Sequence, residues 1–375
     1  MTDSPQELLL ARDPAGLAAF VRGGGRISAG SFERLRILVM LGRPRTVVPN
    51  LLCFALGYSY TGAPGSGRMA LGALLGCLIG FSANLHNTAM DLDEDSRNLP
   101  GRVLLLARVG YRPLMVAWAA ISAFMMASAI ALGRYFTVFM ALALVGLHQY
   151  SAPPVRSKGR PLLGLWVFAQ TVVFPFLFGW TTEPGRMLET LLASIVAALR
   201  GSAPPPADAA WQSFRYLGMW FFVTVWFMAK GAFKNVPDFD GDKEAGVRTS
   251  ATVFRTRRTA AMVATVATVM AYLTLVPLVA VGLERPRVLL SLLWLVPVTL
   301  NGVRLVRAED GKTANGVLKA DMLLSSGFIA SLLLLVSPGV LSGTMVLAAG
   351  LLLWASDALG LDSRRQADAT VAVAS

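Results

Sequence analysis

The chain has 375 residues, 55% of them hydrophobic and only 15% charged, with a formal net charge of +12. A soluble globular protein carries roughly a quarter charged residues, so the composition excludes an ordinary soluble domain and predicts an all-α, polytopic membrane protein. On a soluble chain this basic balance would suggest a nucleic-acid partner. Here the Lys and Arg that cytoplasmic loops collect account for it, and the expected partner is the lipid bilayer, not nucleic acid.

Residues 1–34 are mixed polar, contain Gly23-Gly24-Gly25 and have no long apolar core. They read as a loose cytoplasmic arm and not as a cleaved signal peptide. Ten later segments approach the ~20 apolar residues that cross ~30 Å of hydrocarbon. They are roughly 47–62, 69–90, 113–132, 135–150, 162–180, 216–235, 260–283, 288–303, 320–336 and 339–356. The first and eighth are short, and only Ser337 and Pro338 join the last two, so nine or ten spans are expected. Together, residues 35–358 read as one membrane domain. Its long insertion is the loop 181–214, where Met187–Leu199 has the pattern of an amphipathic surface helix and Ser202-Ala203-Pro204-Pro205-Pro206 breaks it. Residues 359–375 read as a flexible tail.

With ten spans and the N-terminus inside, the inner segments hold 27 of the 34 Lys and Arg. That asymmetry puts the N-terminus on the cytoplasmic side. The Ala- and Arg-rich composition suggests a bacterial cell membrane. Cys53 and Cys77 fall inside predicted spans and suit small buried hydrophobes better than a zinc site or a disulfide framework.

Two inner loops begin at span ends crowded with acidic residues, where ionisable groups are costly and functional by default. In the first, Asn87, Asp91 and Asp95 recur every four residues, which places them on one face of a helix. Like charges at that spacing repel, so the pattern predicts a bound cation. Oxygen-only ligands suit Mg²⁺ rather than zinc. The second loop carries Asp238 and Asp242 with the same geometry, next to Pro237 and Gly241, which predict an irregular helix. Asp93, Glu94 and Asp240 lie off these faces and are second choices. A single acidic pair at a helix end is an ordinary solvated or capping feature. Two such pairs, both at inner span ends and both beside Arg and Lys, favour a site.

Four ionised Asp and a diphosphate cannot share a low-dielectric pocket unaided. Two Mg²⁺ and the nearby Arg102, Arg156, Lys158, Lys243 and Arg248 would balance them. The chemistry that follows is ionisation of a carbon–oxygen bond to a diphosphate leaving group. Ring faces from Tyr150, Trp166, Phe168, Phe222, Trp226 and Phe227 could support the electron-poor carbon, although each alone also suits lipid or core packing. His86 and His148 read either as a catalytic base or as structural hydrogen-bonded residues.

At these residues the chain resembles the UbiA-type intramembrane prenyltransferases, in particular the homogentisate prenyltransferase and chlorophyll synthase branch. Arg43-Pro44-Arg45-Thr46 is similar to the Arg-Pro-x-Thr that opens the first span. Asn87–Asp95, continuing through Asn98-Leu99-Pro100-Gly101-Arg102, resembles the first Asp-rich motif with its Asn-x-Pro-x-Arg tail. The run from Tyr150 to Lys158 looks like Tyr-Ser-x-Pro-Pro-x-Arg-x-Lys, and Lys234–Lys243 resembles the second motif. The resemblance spans about residues 35–335. It implies a helical bundle around a central cavity, with both Asp motifs at its cytoplasmic mouth. By this resemblance Asn87, Asp91, Asp95, Asp238 and Asp242 hold Mg²⁺ and diphosphate, with Asp91, Asp95, Asp238 and Asp242 as the catalytic set. Arg43, Arg102, Tyr150, Arg156, Lys158 and Lys243 are implied substrate contacts. Asn235 and Leu99 stand where family members often have Asp and Lys. The expected activity is transfer of a prenyl group from its diphosphate to an acceptor, most simply an electron-rich aromatic. A terpene cyclase of the same superfamily is the alternative, and a transporter a distant one.

Overall fold

In hydrocarbon every backbone N–H and C=O must be satisfied within the protein, and continuous apolar runs of about 20 residues do so as helices. The computed structural model describes residues 13–183, 193, 196–197, 199–200 and 207–363, and the regular elements among them are all helical. They are α1 (Pro14–Arg22), α2 (Ser31–Leu41), α3 (Pro44–Ser59), α4 (Gly67–Met90), α5 (Leu92–Asn98), α6 (Pro100–Val109), α7 (Tyr111–Leu132), α8 (Arg134–Ser151), α9 (Pro161–Thr181), α10 (Ala207–Asn235), α11 (Phe239–Glu244), α12 (Arg257–Leu273), α13 (Leu275–Ala280), α14 (Leu295–Val306), α15 (Gly311–Val336) and α16 (Val340–Ala358), with a 3-10 stretch over Pro286–Trp294. Residues 1–12, most of the expected surface helix Met187–Leu199, Ser202–Pro206 and 364–375 lie outside the described residues.

Among the described residues eight helices are long and apolar enough to cross a membrane, or nine if α2 and α3, bent by 50°, count as one span. The chain is therefore an integral membrane protein. Each of the ten expected segments is helical, but two fall short as independent spans. The first, α3, has 16 residues. The fourth, α8, has 18, and Arg134 and His148-Gln149-Tyr150 dilute its apolar centre at the two ends. Val116 and Ile130 of α7, Val138 and Val145 of α8, and Val266 and Met270 of α12 are all exposed, as lipid-facing side chains are.

The helix α3 lies at the centre and packs on α4, α9, α15 and α16. Its crossing with α9 is made at backbone distance. A Cβ on Gly57 would fall 1.9 Å from the Phe176 carbonyl oxygen, and one on Gly179 would fall 2.2 Å from that of Phe54. Small residues permit this approach between membrane helices. Around α3, the helices α4, α7, α8, α9, α10, α12, α14 and α15 neighbour one another in that order. At the end of the bundle away from the Asp motifs, the buried Glu284 carboxylate accepts from Tyr60 Oη at 2.6 Å and pairs with Arg215 at 3.3 Å.

Two expectations for the termini need correction. The N-terminal arm is not loose from Pro14 onward. The Asp13 side chain caps α1 by accepting from the Gly16 N–H at 2.9 Å, and Leu17, Ala18 and Val21 are buried in a second core with α2, α6 and the ends of α4 and α7. The start of the tail is seated as well. Arg36 donates to the Leu359 carbonyl at 3.2 Å, and Ser363 is buried.

Candidate active site

The first Asp motif straddles a joint. Helix α4 stops at Met90, Asp91 sits at φ −94°, ψ 23°, and α5 resumes at Leu92. The hydrogen-bond ladder nevertheless carries through, from the Asp91 N–H to the Asn87 carbonyl at 2.8 Å and from the Asp95 N–H to the Asp91 carbonyl at 2.7 Å. The register of four therefore survives the bend. Asn87 Oδ1 accepts from Ser151 Oγ at 3.1 Å. Lys158 bridges Asp91 at 2.5 Å and Glu94 at 3.1 Å, and Arg156 also pairs with Glu94. Arg102 reaches both Asp95 oxygens, at 3.0 and 2.9 Å.

The second motif repeats the construction. Helix α10 ends at Asn235, a turn covers Val236–Asp238, and Asp238 opens α11 with its carbonyl accepting from the Asp242 N–H at 2.9 Å. The helices α11 and α5 pack together. Their contact depends on Gly241, because a Cβ there would lie 1.6 Å from Asn98 Oδ1. Segments nearly 150 residues apart are thereby held side by side. Tyr150 lies within electrostatic reach of Asp91, Asp238 and Asp242 together, so both motifs face one space.

The charges in that space are unevenly balanced. Burial raises the Asp95 carboxyl above its usual range, with Arg102 and Arg43 pulling against it and Asp91 adding to the rise. Asp242 is pushed up to about 7 by burial and by Asp238, which Lys234 and Lys158 only partly offset. Burial works against the Lys158 ammonium, but Asp91 and Glu94 outweigh it and hold its pKa above the usual lysine value. Arg102 keeps Nε and Nη2 buried without a hydrogen-bond partner. The two described non-glycine residues at left-handed φ are Arg43 (52°) and Arg156 (42°). Such backbone costs about 1–3 kcal/mol and clusters at functional sites.

Inward from the motifs a cavity of about 210 Å³ opens between α3, α4, α8, α9, α10 and α15. Arg43, Asn87 and Tyr150 line it, while the four Asp are not part of its wall. Its aromatic side is formed by Tyr150, Phe168 and Phe227, with Phe168 and Phe227 stacked at 5.3 Å and Lys234 Nζ 4.9 Å above the Phe168 ring.

The expected residues thus divide. Asn87, Asp91, Asp95, Asp238, Asp242, Tyr150, Lys158, Arg102 and Arg43 converge, and the exposed Arg156 reaches in through Glu94. Lys243 does not converge. It is exposed, with Nζ 3.5 Å from the Arg255 carbonyl and lying over Phe239. Among the expected aromatics, Trp166 is 49% exposed and turned outward, while Phe222 and Trp226 are buried against Phe328. Asp93 pairs with Arg22 and Asp240 with Arg257, both away from the shared space. His86 is buried against Trp118 and His148 at 4.8 and 5.1 Å, with neither ring nitrogen hydrogen-bonded, so it is not the hydrogen-bonded structural residue that was one reading. Glu94 stood only as a second choice, Lys234 and Arg45 belonged to motifs without an assigned role, and a buried Lys230–Asp321 pair went unrecognised in the sequence. The signal for the pair was charge inside two apolar runs.

The set also answers whether a divalent cation fits. Among the described residues no three acidic or histidine side chains gather closely enough to hold one ion by themselves. Mg²⁺ is usually held by only one or two carboxylates, completed by substrate phosphates and water. One carboxylate pair per motif, oxygen donors throughout, an Asp242 short of positive charge and unpartnered Arg102 donors suit a metal–diphosphate pair arriving together.

The UbiA prenyltransferase family model matches residues 47–327. A solved UbiA homolog from Archaeoglobus fulgidus, bound to DMAPP and Mg²⁺, has the same fold, with TM-score 0.57 and 19% identity over 80% of this chain and 99% of that one. A lycopene elongase/hydratase of Haloferax volcanii is 34% identical over 116 residues, 30% of this chain and 28% of that protein's length. A digeranylgeranylglyceryl phosphate synthase of Korarchaeum cryptofilum is 24% identical over 66% of this chain and 77% of its own. With well over half of its length inside the family match, the chain belongs to the UbiA prenyltransferase family.

Proposed function

We propose that the protein is a Mg²⁺-dependent intramembrane prenyltransferase that ionises an allylic prenyl diphosphate and passes the prenyl group to an aromatic acceptor, as in the homogentisate and chlorophyll synthase branch. The observation that carries this reading is the packing of α5 against α11, which turns two acidic motifs toward one space at the mouth of an apolar cavity. Asn87, Asp91, Asp95, Asp238 and Asp242 would hold the metal. When bound, Mg²⁺ neutralises the charge that develops on the leaving diphosphate. Arg102 and Lys158 lie where they can orient the diphosphate oxygens, and Arg43 adds positive charge beside Asp95. Tyr150, Phe168 and Phe227 present ring faces toward the allylic cation and keep water from it. The electron pair of the breaking C–O bond leaves with diphosphate, the acceptor's π electrons close the new C–C bond, and the ring then gives up the proton at that carbon, which the released diphosphate can accept. The orientation proposed is N-terminus and both motifs on the cytoplasmic side of a bacterial cell membrane, supported by the Lys and Arg asymmetry of the loops.

A second reading has its own observation: the match to a lycopene elongase/hydratase favours a polyene acceptor. Mass spectrometry of products decides. Membranes containing the protein are given geranyl, farnesyl or geranylgeranyl diphosphate with phenolic acceptors, with lycopene, or with neither. A prenylated phenol supports the aromatic reading, an elongated polyene the second, and an acceptor-free hydrocarbon or alcohol means cyclisation.

A further inference from the structure

Lys230 of α10 and Asp321 of α15 form a 2.8 Å salt bridge, each side chain 5% exposed, and both line the cavity. Taking two charges out of water is only partly offset by their attraction, and ionisable groups at membrane depth stand where function needs them. Lys230 stands five residues before α10 ends at Asn235, so it lies roughly 7–8 Å in from that helix end, with the turn to Asp238 beyond it. That is beside the first carbons of a chain whose diphosphate sits at the motif. The pair therefore borders the place where donor and acceptor must meet.

The chemistry of the pair narrows what it can recognise. A prenyl chain is apolar and makes no use of either charge. A diphosphate would be repelled by Asp321 and finds Lys230 already neutralised. The Lys230 ammonium is also enclosed by the Trp226, Phe233 and Tyr272 rings, 5.9, 5.7 and 5.5 Å from their centroids. The group left to a ligand is the carboxylate, which uses only Oδ1 toward Lys230. Ser325, one helical turn further along α15, lines the same wall and is buried. The same wall also carries Asn315, Lys319 and Ser326 beside Leu318, Met322 and Leu323, and the buried carboxylate and hydroxyl suit a ligand with an apolar body and a hydrogen-bond donor at its edge.

We infer that Asp321 recognises the acceptor by accepting a hydrogen bond from a hydroxyl on its ring, and that Lys230 is a positioning residue that holds the carboxylate in place. This rests on the prenyl-transfer reading above. It fixes the acceptor class as hydroxyl-bearing, and a pure hydrocarbon is excluded from this wall. A pair that merely pinned α10 to α15 would form the same salt bridge, so the test must separate the two roles.

The full-length protein in nanodiscs is assayed with geranylgeranyl diphosphate and a phenol panel of hydroquinone, 4-hydroxybenzoate and homogentisate, together with hydroquinone dimethyl ether and lycopene. Asp321→Asn should raise the acceptor KM about ten-fold or more, because a hydrogen bond to a charged group is lost, while the KM for the diphosphate stays within two-fold. Lys230→Gln should raise the acceptor KM less. The dimethyl ether should not be prenylated by the unmodified protein. Where a single variant fails to fold, the apolar double variant K230M/D321L removes both charges together and should fold with the same raised acceptor KM. If phenols are prenylated and these variants keep the acceptor KM unchanged, or shift both KM values equally, the inference falls and the prenyl-transfer reading stands. If no phenol reacts and lycopene is elongated, the aromatic reading and this inference fall together.

Discussion

Gly241 stands between Asp238 and Asp242 at the contact of α11 with α5, and a methyl group there would lie 1.6 Å from Asn98 Oδ1. Non-bonded carbon and oxygen atoms rest about 3.3–3.6 Å apart. Gly241→Ala therefore requires either the Asn98 amide to swing away or the two short helices to part by close to 2 Å. Overpacking of this kind typically costs about 1–3 kcal/mol. The larger consequence is for the reaction, since a misplacement of about 1 Å between cooperating groups can cost ~10²-fold. The substitution should lower kcat/KM for the prenyl diphosphate by about two orders of magnitude and raise the Mg²⁺ concentration for half-activation. Asn98→Ala opens the same space from the other side, so the double variant should recover most of the loss. That recovery is a coupling that independent sites would not show. The assay is steady-state release of diphosphate by purified protein over a Mg²⁺ titration. Wild-type kcat/KM in Gly241→Ala, or no relief from Asn98→Ala, would refute the claim that the two motifs act as one site.

Turnover should vanish in excess chelator and return with Mg²⁺; undiminished turnover in EDTA would remove the metal from the mechanism. Asp91→Ala and Asp238→Ala should each cost ~10²-fold or more in kcat, whereas Asp93→Ala, which loses only an exposed pair with Arg22, should stay near wild type. Asp242, raised to about 7 mainly by burial, holds a proton below that pH and is then a poorer ligand. The Mg²⁺ requirement should therefore climb as pH falls through about 7, and Asp242→Asn should flatten that dependence. The same shift makes the chelated protein lose stability as pH rises from the unfolded carboxylate range toward about 7, a fall in melting temperature that Mg²⁺ should reverse. A cysteine placed at Ser202 should be labelled by an impermeant reagent from the outer face only; labelling confined to the cytoplasmic face would invert the proposed topology.

Local periodicity carried most of the fold. Each apolar run of the sequence is a helix, and the spacing of Asn87, Asp91 and Asp95 keeps its register through the structure. The bend at Asp91 was not legible, because i, i+4 spacing is the same for a straight helix and for one jointed at a single residue. Lys243 was grouped with the site by its place in a motif. It sits next to Asp242 in sequence and so points to a different side of α11, whereas Lys234, four residues before Asp238, faces the cavity. Lys230 and Asp321 are 91 residues apart. Each lies inside a separate apolar run, and only the packing of the bundle makes them a pair. The nine-residue α1 is too short to be stable by itself, and its burial of Leu17 and Val21 depends on α6, a partner its own sequence does not name.

The central position of α3 bears on how the protein is made. It precedes most of its partners along the chain, and those partners include α15 and α16, the last two of the described helices. Until they are inserted, α3 has only part of its cover. In the finished protein Asn50 donates to the carbonyls of Gly76 and Thr171, from α4 and α9, so an early assembly of α3, α4 and α9 can satisfy that polar group in lipid. The Gly57–Gly179 crossing belongs to the same early unit. The cavity wall formed by α15, which begins at Gly311, is added only long after α3 has ended at Ser59, and such a distant pairing is slow to close. Truncations near the C-terminus should therefore leave an inserted, partly packed core with one side of its cavity open to lipid.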